Sequence, residues 1–368
     1  MSLKAYATTL LMTLITGGCT LSSSLAADSV QNTNTIDAGT PARVDEGKFL
    51  NHKPTEPSSV WRTVQIFWRY ITESRVDPEP TSELPMKTVT RQQLDNLSNE
   101  GLHIIKLGHS SLLLKVVGEY WLIDPVFSER ASPVGFMGPK RFQPTPISLE
   151  ELPPIAIVLI SHNHYDHLDK QAVESLADKA REFLVPLGVD KQLLDWGIAK
   201  DNIQTFDWWQ SVVDTHATIT FTPAQHFSGR GLQDTNESLW GSWVIETEQG
   251  KLFFSGDSGY FPGFKTIGDK FGPFDLTFIE TGAYNDDWPD VHMTPEQSVQ
   301  AHIDLNGKVM MPIHNGTFNL AFHPWYEPLN RVSEAAAAQQ VELTTPVVGE
   351  VLALGDQLPS THWWQSLE

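Results

Sequence analysis

The chain has 368 residues, with 25 Lys and Arg against 45 Asp and Glu, a net charge of −20, 13 His and one Cys. Hydrophobic residues at 40% and charged residues at 19% are globular proportions, which excludes a wholly disordered chain. The acidic balance excludes a nucleic-acid partner, which needs cationic surface, and one Cys excludes thiolate-rich metal sites, so any metal must rest on His and carboxylate.

At the N-terminus, Lys4 is followed by the apolar run Ala5 to Ile15 and then by Gly17, Gly18 and Cys19. The run is shorter than the about 20 residues that span a bilayer, and it fits the apolar centre of an export signal. Small residues before the Cys resemble a bacterial lipoprotein signal. The expectation is therefore a signal peptide over 1–18 and a lipidated Cys19, with cleavage near Ala26 as the alternative. That arrangement would place the mature protein at the periplasmic face of a bacterial membrane, as an outer-membrane lipoprotein. Residues 19–57, rich in Ser, Thr, Asn, Asp and Pro, read as a flexible tether. Val60, Trp61, Val64, Phe67, Trp68 and Ile71 recur at helical spacing, so 58–74 reads as an amphipathic helix within an extension over 58–100. Its aromatic stripe is expected to pack on the protein rather than on lipid.

From 101 to 368 the pattern is that of one domain. Short β-rich runs appear at Leu102–Leu107, Leu112–Val117, Tyr120–Ile123, Ile155–Ile160, Ala217–Thr222, Leu239–Glu246, Leu252–Ser255, Leu276–Ile279 and Val309–Pro312. Helical patterns cover Lys170–Glu182 and Pro295–Leu305. The second begins with a capping box of Thr294 and Gln297 around Pro295, and Gly307 follows its end. Strands with interspersed helices and no Gly-rich nucleotide fingerprint predict an α+β fold of two packed sheets with helices outside.

The strongest chemical signal is Ser161-His162-Asn163-His164-Tyr165-Asp166-His167-Leu168-Asp169, directly after the apolar run Ile155 to Ile160. His162 and His164 alternate to one side, and Asp166 and His167 fall at the turn into the next helix. Imidazole and carboxylate together suit zinc, iron or manganese. Downstream, His226, Asp257 and His314 each follow a β run. Any one of them alone is an ordinary polar group at a strand end. With the first loop they complete a set sufficient for two ions.

In these features the chain resembles the metallo-β-lactamase superfamily. Within it, the chain resembles the N-acylphosphatidylethanolamine-hydrolysing phospholipase D (NAPE-PLD) family and its bacterial lipoprotein relatives. Shared stretches run in order from Leu107-Gly108-His109-Ser110 and Asp124-Pro125-Val126 through the His-rich loop to Gly256-Asp257-Ser258-Gly259, Gly282-Ala283-Tyr284 and His314-Asn315-Gly316-Thr317. The resemblance implies an αββα sandwich with mixed sheets and two Zn2+. His162, His164 and His226 would hold one ion, Asp166, His167 and His314 the other, and Asp257 would bridge them. Asn315 stands where a Trp is usual, and Glu280-Thr281 replaces an uncharged pair of the animal enzymes.

The implied activity is metal-dependent hydrolysis of a phosphodiester, of phospholipase D type, on N-acylphosphatidylethanolamine or a related glycerophospholipid. Asp166, Asp257 and His292 are the candidate catalytic residues. The alternatives are a lactone or amide hydrolase of the same fold, acting on another small-molecule ester or amide, or a non-catalytic envelope lipoprotein that binds or regulates. A membrane surface is the expected partner, reached through the lipid anchor. His109 reads as structural, and Arg130, Lys140 and Arg141 as a salt-bridged loop.

Overall fold

A computed structural model describes residues 36–55, 60–231 and 233–367. The expected signal over 1–18, Cys19, the tether as far as residue 35 and residues 56–59 lie outside the described residues. The first sheet begins with β3 (Leu102–Gly108), β4 (Ser111–Val116) and β5 (Glu119–Ile123), and continues with β6 (Ile155–Leu159), β7 (Ala180–Pro186) and β8 (Ile203–Phe206). The second takes β9 (Ser211–Val213), β10 (Ala217–Thr222), β11 (Ser242–Thr247), β12 (Gly250–Phe254), β13 (Phe274–Glu280), β14 (Gly307–Ile313) and β15 (Glu342–Leu343). The last strand, β16 (Val351–Ala353), returns to the first sheet and pairs antiparallel with β3. Apart from β16, each sheet is antiparallel through its early strands and parallel through its late ones.

Side chains alternate across both sheets, and both faces are apolar. Leu112, Leu114, Trp121, Ile157 and Leu159 point inward to meet Phe221, Trp243, Ile245, Phe254 and Phe278. Their neighbours Leu113, Leu122 and Val158 point outward, onto Leu94, Val173, Leu176 and Leu193. These last belong to α2 (Arg91–Asn96), α3 (Lys170–Leu176) and α4 (Asp190–Asp195). On the opposite outer face Val244, Phe253 and Ile279 pack against α5 (Gly263–Phe271), α6 (Pro295–Asp304) and α7 (Glu327–Gln339). Strands buried on both faces require apolar residues at every position, which is why they read as continuous runs. The result is the expected αββα sandwich of two mixed sheets.

Several local expectations change. The helix expected over Lys170–Glu182 stops at Leu176, and Ala180–Pro186 is β7, paired parallel to β6 and β8. Ala180–Glu182, expected as helix, instead lead into the buried Phe183-Leu184-Val185 run, and pairing with the neighbouring strand overrides the helical count. Helix α6 keeps its capping box, but Asn306 rather than Gly307 takes the left-handed position (φ 56°) and Gly307 opens β14. The strand expected from Leu239 starts at Ser242; Leu239 and Trp240 instead pack into the core between the sheets. Part of the expected tether is structured: β1 (Arg43–Asp45) and β2 (Lys48–Leu50) form a largely exposed hairpin that docks through Phe49, and buried Asn51 follows it. Helix α1 (Val60–Thr72) is present, but Trp61 and Trp68 are 68% and 66% exposed, so these two rings do not pack on the protein as expected.

Candidate metal centre

The candidate residues gather where strands of both sheets end. His162 to Asp169 follow β6, His226 follows β10, Asp257 follows β12 and His314 follows β14. The His-rich loop is pinned from beneath by Asp124, the residue after β5. Its carboxylate accepts Ser161 N (2.7 Å), Ser161 Oγ (2.6 Å) and His167 Nδ1 (2.7 Å). Asp124 adopts φ 42°, a left-handed conformation that Asp and Asn tolerate better than most residues. The loop then turns through His167 N and Leu168 N, both bonded to His164 O, and Asp169 caps α3. His226 is held from the N-terminal segment, because the Asn51 side chain donates to its carbonyl (2.6 Å) and accepts from its N–H (3.1 Å). At Gly282, a Cβ would run into the His314 backbone, so only glycine lets the two loops close.

Two groups of donor atoms result. His162, His164, His226 and Asp257 form one, and His109, Asp166, His167 and His314 the other. In the first, His164 Nδ1 lies 2.9 Å from His162 Nε2 and 3.2 Å from His226 Nε2. Asp257 Oδ2 is 3.8 Å from both of those Nε2 atoms. In the second, His314 Nε2 lies 3.2 Å from Asp166 Oδ2, and His167 Nε2 lies 3.7 Å from it. Asp257 also approaches this group, with Oδ1 3.1 Å from His167 Nε2 and Oδ2 3.1 Å from His314 Nε2.

A tetrahedral ion bound at the usual 2.0–2.1 Å to nitrogen separates its ligands by about 3.3 Å, within the range of these spacings. Three of the converging atoms, His167 Nε2, His314 Nε2 and Asp257 Oδ1, are buried and make no hydrogen bond of acceptable geometry. Other ring nitrogens are committed to neighbours: His162 Nδ1 to Ser161 Oγ, His167 Nδ1 to Asp124 and His226 Nδ1 to the Val291 carbonyl. Such partners fix the ring that presents its other nitrogen to an ion. The residues fit a pair of divalent cations.

The electrostatics differ between the groups. Burial pushes His162 and His226 well below the ordinary imidazole range, and His164 to about 4, which leaves three neutral donors. Burial also opposes charge on His167 and His314, but Asp257 and Asp166 outweigh it, lifting His167 well above its usual range and His314 to about 10. Burial disfavours the Asp166 and Asp257 anions as well; His167 and its neighbours overcome this and hold both ionised. A cation would displace the protons on His167 and His314, so its binding is linked to proton release.

All seven candidate ligands converge. His109, read from sequence as structural, joins the second group: burial, then the His314 charge, push it down to about 3, and the neutral ring donates Nε2–H to Asp166 Oδ2 at 3.0 Å. His292, the remaining catalytic candidate, borders a cavity of about 660 Å3, with its ring 5.0 Å from that of His226 and 5.5 Å from that of His314. His164, Asp166, Asp257 and His314 line that cavity. Phe227, Ala283, Trp288 and Leu320 give it an apolar side, Asp287, Asp290 and Asn236 a polar one, and α1 contributes Arg62 and Ile66. Lys140 pairs with Glu129, while Arg130 and Arg141 bond backbone carbonyls, so that loop is held largely by its own cations. The sequence does not mark Asp124, Asn51 or Glu280 as functional. Its signals are family likeness at Asp124-Pro125 and departure from that likeness at Glu280-Thr281.

Comparison with known proteins agrees with this geometry. Residues 120–315 match the β-lactamase superfamily domain. An N-acyl-phosphatidylethanolamine-hydrolyzing phospholipase D of Caenorhabditis elegans is 36% identical over 293 residues, covering 75% of this chain and 82% of that one. An uncharacterized protein of Mycobacterium tuberculosis is 38% identical over 326 residues, 87% of this chain and 86% of that one. Among solved structures, a metallo hydrolase from the archaeon Ignicoccus hospitalis superposes with a TM-score of 0.53 at 20% identity, over 70% of this chain and 99% of that one.

Proposed function

The chain belongs to the metallo-β-lactamase superfamily, among the relatives of the N-acylphosphatidylethanolamine-hydrolysing phospholipases D, and is a metal-dependent hydrolase; from that premise we propose that it is a dizinc phosphodiesterase acting on N-acylated or related glycerophospholipids. One observation carries the reading: four of the candidate ligands, His164, Asp166, Asp257 and His314, line a cavity with an apolar side formed by Phe227, Ala283, Trp288 and Leu320. About 660 Å3 is the size of a site for a small organic ligand, and an apolar wall suits the chain portion of a lipid beside a polar reacting group. Two divalent ions, if held by these residues, would supply Lewis acidity and activate water at neutral pH. The protein supplies the rest. Asp124 and His109 orient His167 and Asp166, the apolar wall excludes bulk water, and His292 faces the bound substrate.

The exposed Trp61 and Trp68 support a membrane-facing mouth, because the same helix places Arg62 and Ile66 against the cavity. A lipid anchor at Cys19 on an exported protein would hold that mouth at the membrane surface.

Metal-replete protein should release N-acylethanolamine and phosphatidate from N-acylphosphatidylethanolamine, read by mass spectrometry. Intact lipid alongside turnover of lactones or amides, with metal content verified, would overturn the diester reading.

A further inference from the structure

Glu280 ends β13 and is fully buried. Its backbone is locked on both sides, with N–H donating to Ser255 Oγ (3.0 Å) and C=O accepting from Ser298 Oγ (2.7 Å). The carboxylate has less to hold. Oε1 accepts Met293 N at 2.8 Å, and Oε2 is buried without a hydrogen bond. Leaving a carboxylate oxygen unsatisfied in the interior is costly, and an uncharged residue at this position would avoid that cost. Facing the carboxylate is a second orphan. His292 Nδ1 is buried, makes no hydrogen bond, and lies 3.4 Å from Glu280 Oε1. His292 also borders the cavity.

We infer that Glu280 is a positioning residue for His292: it accepts a hydrogen bond from Nδ1–H, fixes the plane of the ring and leaves Nε2 for the substrate. The 3.4 Å separation is about 0.2 Å beyond the usual hydrogen-bond range, while the Ser255 and Ser298 bonds hold the Glu280 backbone and Met293 N holds Oε1. The inference rests on the cavity being the substrate site. It concerns a residue that contacts neither candidate metal group directly, and the departure at Glu280-Thr281 thereby acquires a purpose.

The test begins without substrate. In 15N-histidine-labelled protein the His292 resonances, assigned by their loss in His292→Asn, should show a proton on Nδ1. Glu280→Met should move that proton to Nε2, and Glu280→Gln, which keeps an acceptor, should leave it on Nδ1. In turnover, Glu280→Met should lower kcat about 10- to 100-fold, the usual effect of losing a partner that orients a working side chain, with KM changed less than threefold. Glu280→Gln should recover part of that loss. Introduced into His292→Asn, Glu280→Met should cost nothing further, because it acts through the ring that is gone. An unprotonated Nδ1 in the wild type overturns the inference even if no variant folds, and so does full additivity of the two substitutions. Because the resonance measurement needs no substrate, failure of the lipid reading would leave it standing.

Discussion

Replacing Asp124 by Asn isolates what a buried carboxylate does for an imidazole. The substitution conserves shape, and Asn tolerates the φ of 42°, so backbone strain does not enter. One side-chain oxygen still serves Ser161 N. The amide NH2 then takes the place of Oδ2, which now accepts from both Ser161 Oγ (2.6 Å) and His167 Nδ1 (2.7 Å). The serine hydroxyl can rotate to accept, but the imidazole N–H meets another donor. A hydrogen bond to a charged group is worth about 1.5–3 kcal/mol, and relief of the buried anion's desolvation offsets part of it. The metal-free protein should therefore lose about 2 kcal/mol. Metal affinity should suffer as well, by about 10- to 100-fold, because His167 loses the partner that holds its ring. Urea denaturation in chelator measures the first quantity, and competition against a chromophoric chelator measures the second. A folded Asp124→Asn protein whose affinity has changed less than threefold would refute the claim that Asp124 orients His167.

Asp257 brings carboxylate oxygens to both donor groups, so Asp257→Ala should lose both ions together; one ion retained in elemental analysis would argue against a shared ligand. Away from the site, His302 is 2% exposed, and burial lowers it from 6.5 to about 4. Its neutral form is favoured only in the folded state, so this contribution is intact above pH 6.5 and is lost as pH falls toward 4, by about 3 kcal/mol in all. His302→Gln should flatten the decline in urea stability over that window, and an unchanged slope would reject the assignment. Changing Trp61 and Trp68 to Ala should alter stability by less than about 0.5 kcal/mol, since both rings are exposed, while reducing flotation of an unlipidated protein with anionic vesicles. Undiminished flotation would remove these rings from any lipid contact.

The ligand set was legible because its chemistry is local: His and Asp crowd into one loop after an apolar strand, and each later candidate follows a β run. The supporting residues were not, since Asp124, Asn51 and Glu280 are ordinary types whose roles come from contacts across the fold. Helix α1 shows another limit. Spacing says that Trp61, Val64 and Trp68 share a face, but not whether that face is covered, and tertiary structure leaves it open. Strand β7 opens with Ala180, exposed Arg181 and half-buried Glu182, a start polar enough to be counted as the tail of α3 before the buried run that follows it. The hairpin at Arg43–Leu50, docked through Phe49, is hidden by a polar composition that suits tethers and docked loops alike.

The return of β16 to the first sheet bears on how the polypeptide is made. Val351, Leu352 and Ala353 zip onto Ile105, Ile104 and His103, near the opposite end of translation. Until the ribosome has delivered this terminal segment, β3 presents an open ladder of amide and carbonyl groups, an invitation to pair with another nascent chain. A stop codon shortly before Val351 would spare every candidate ligand and still yield an adhesive product, found in inclusion bodies rather than in a shorter enzyme.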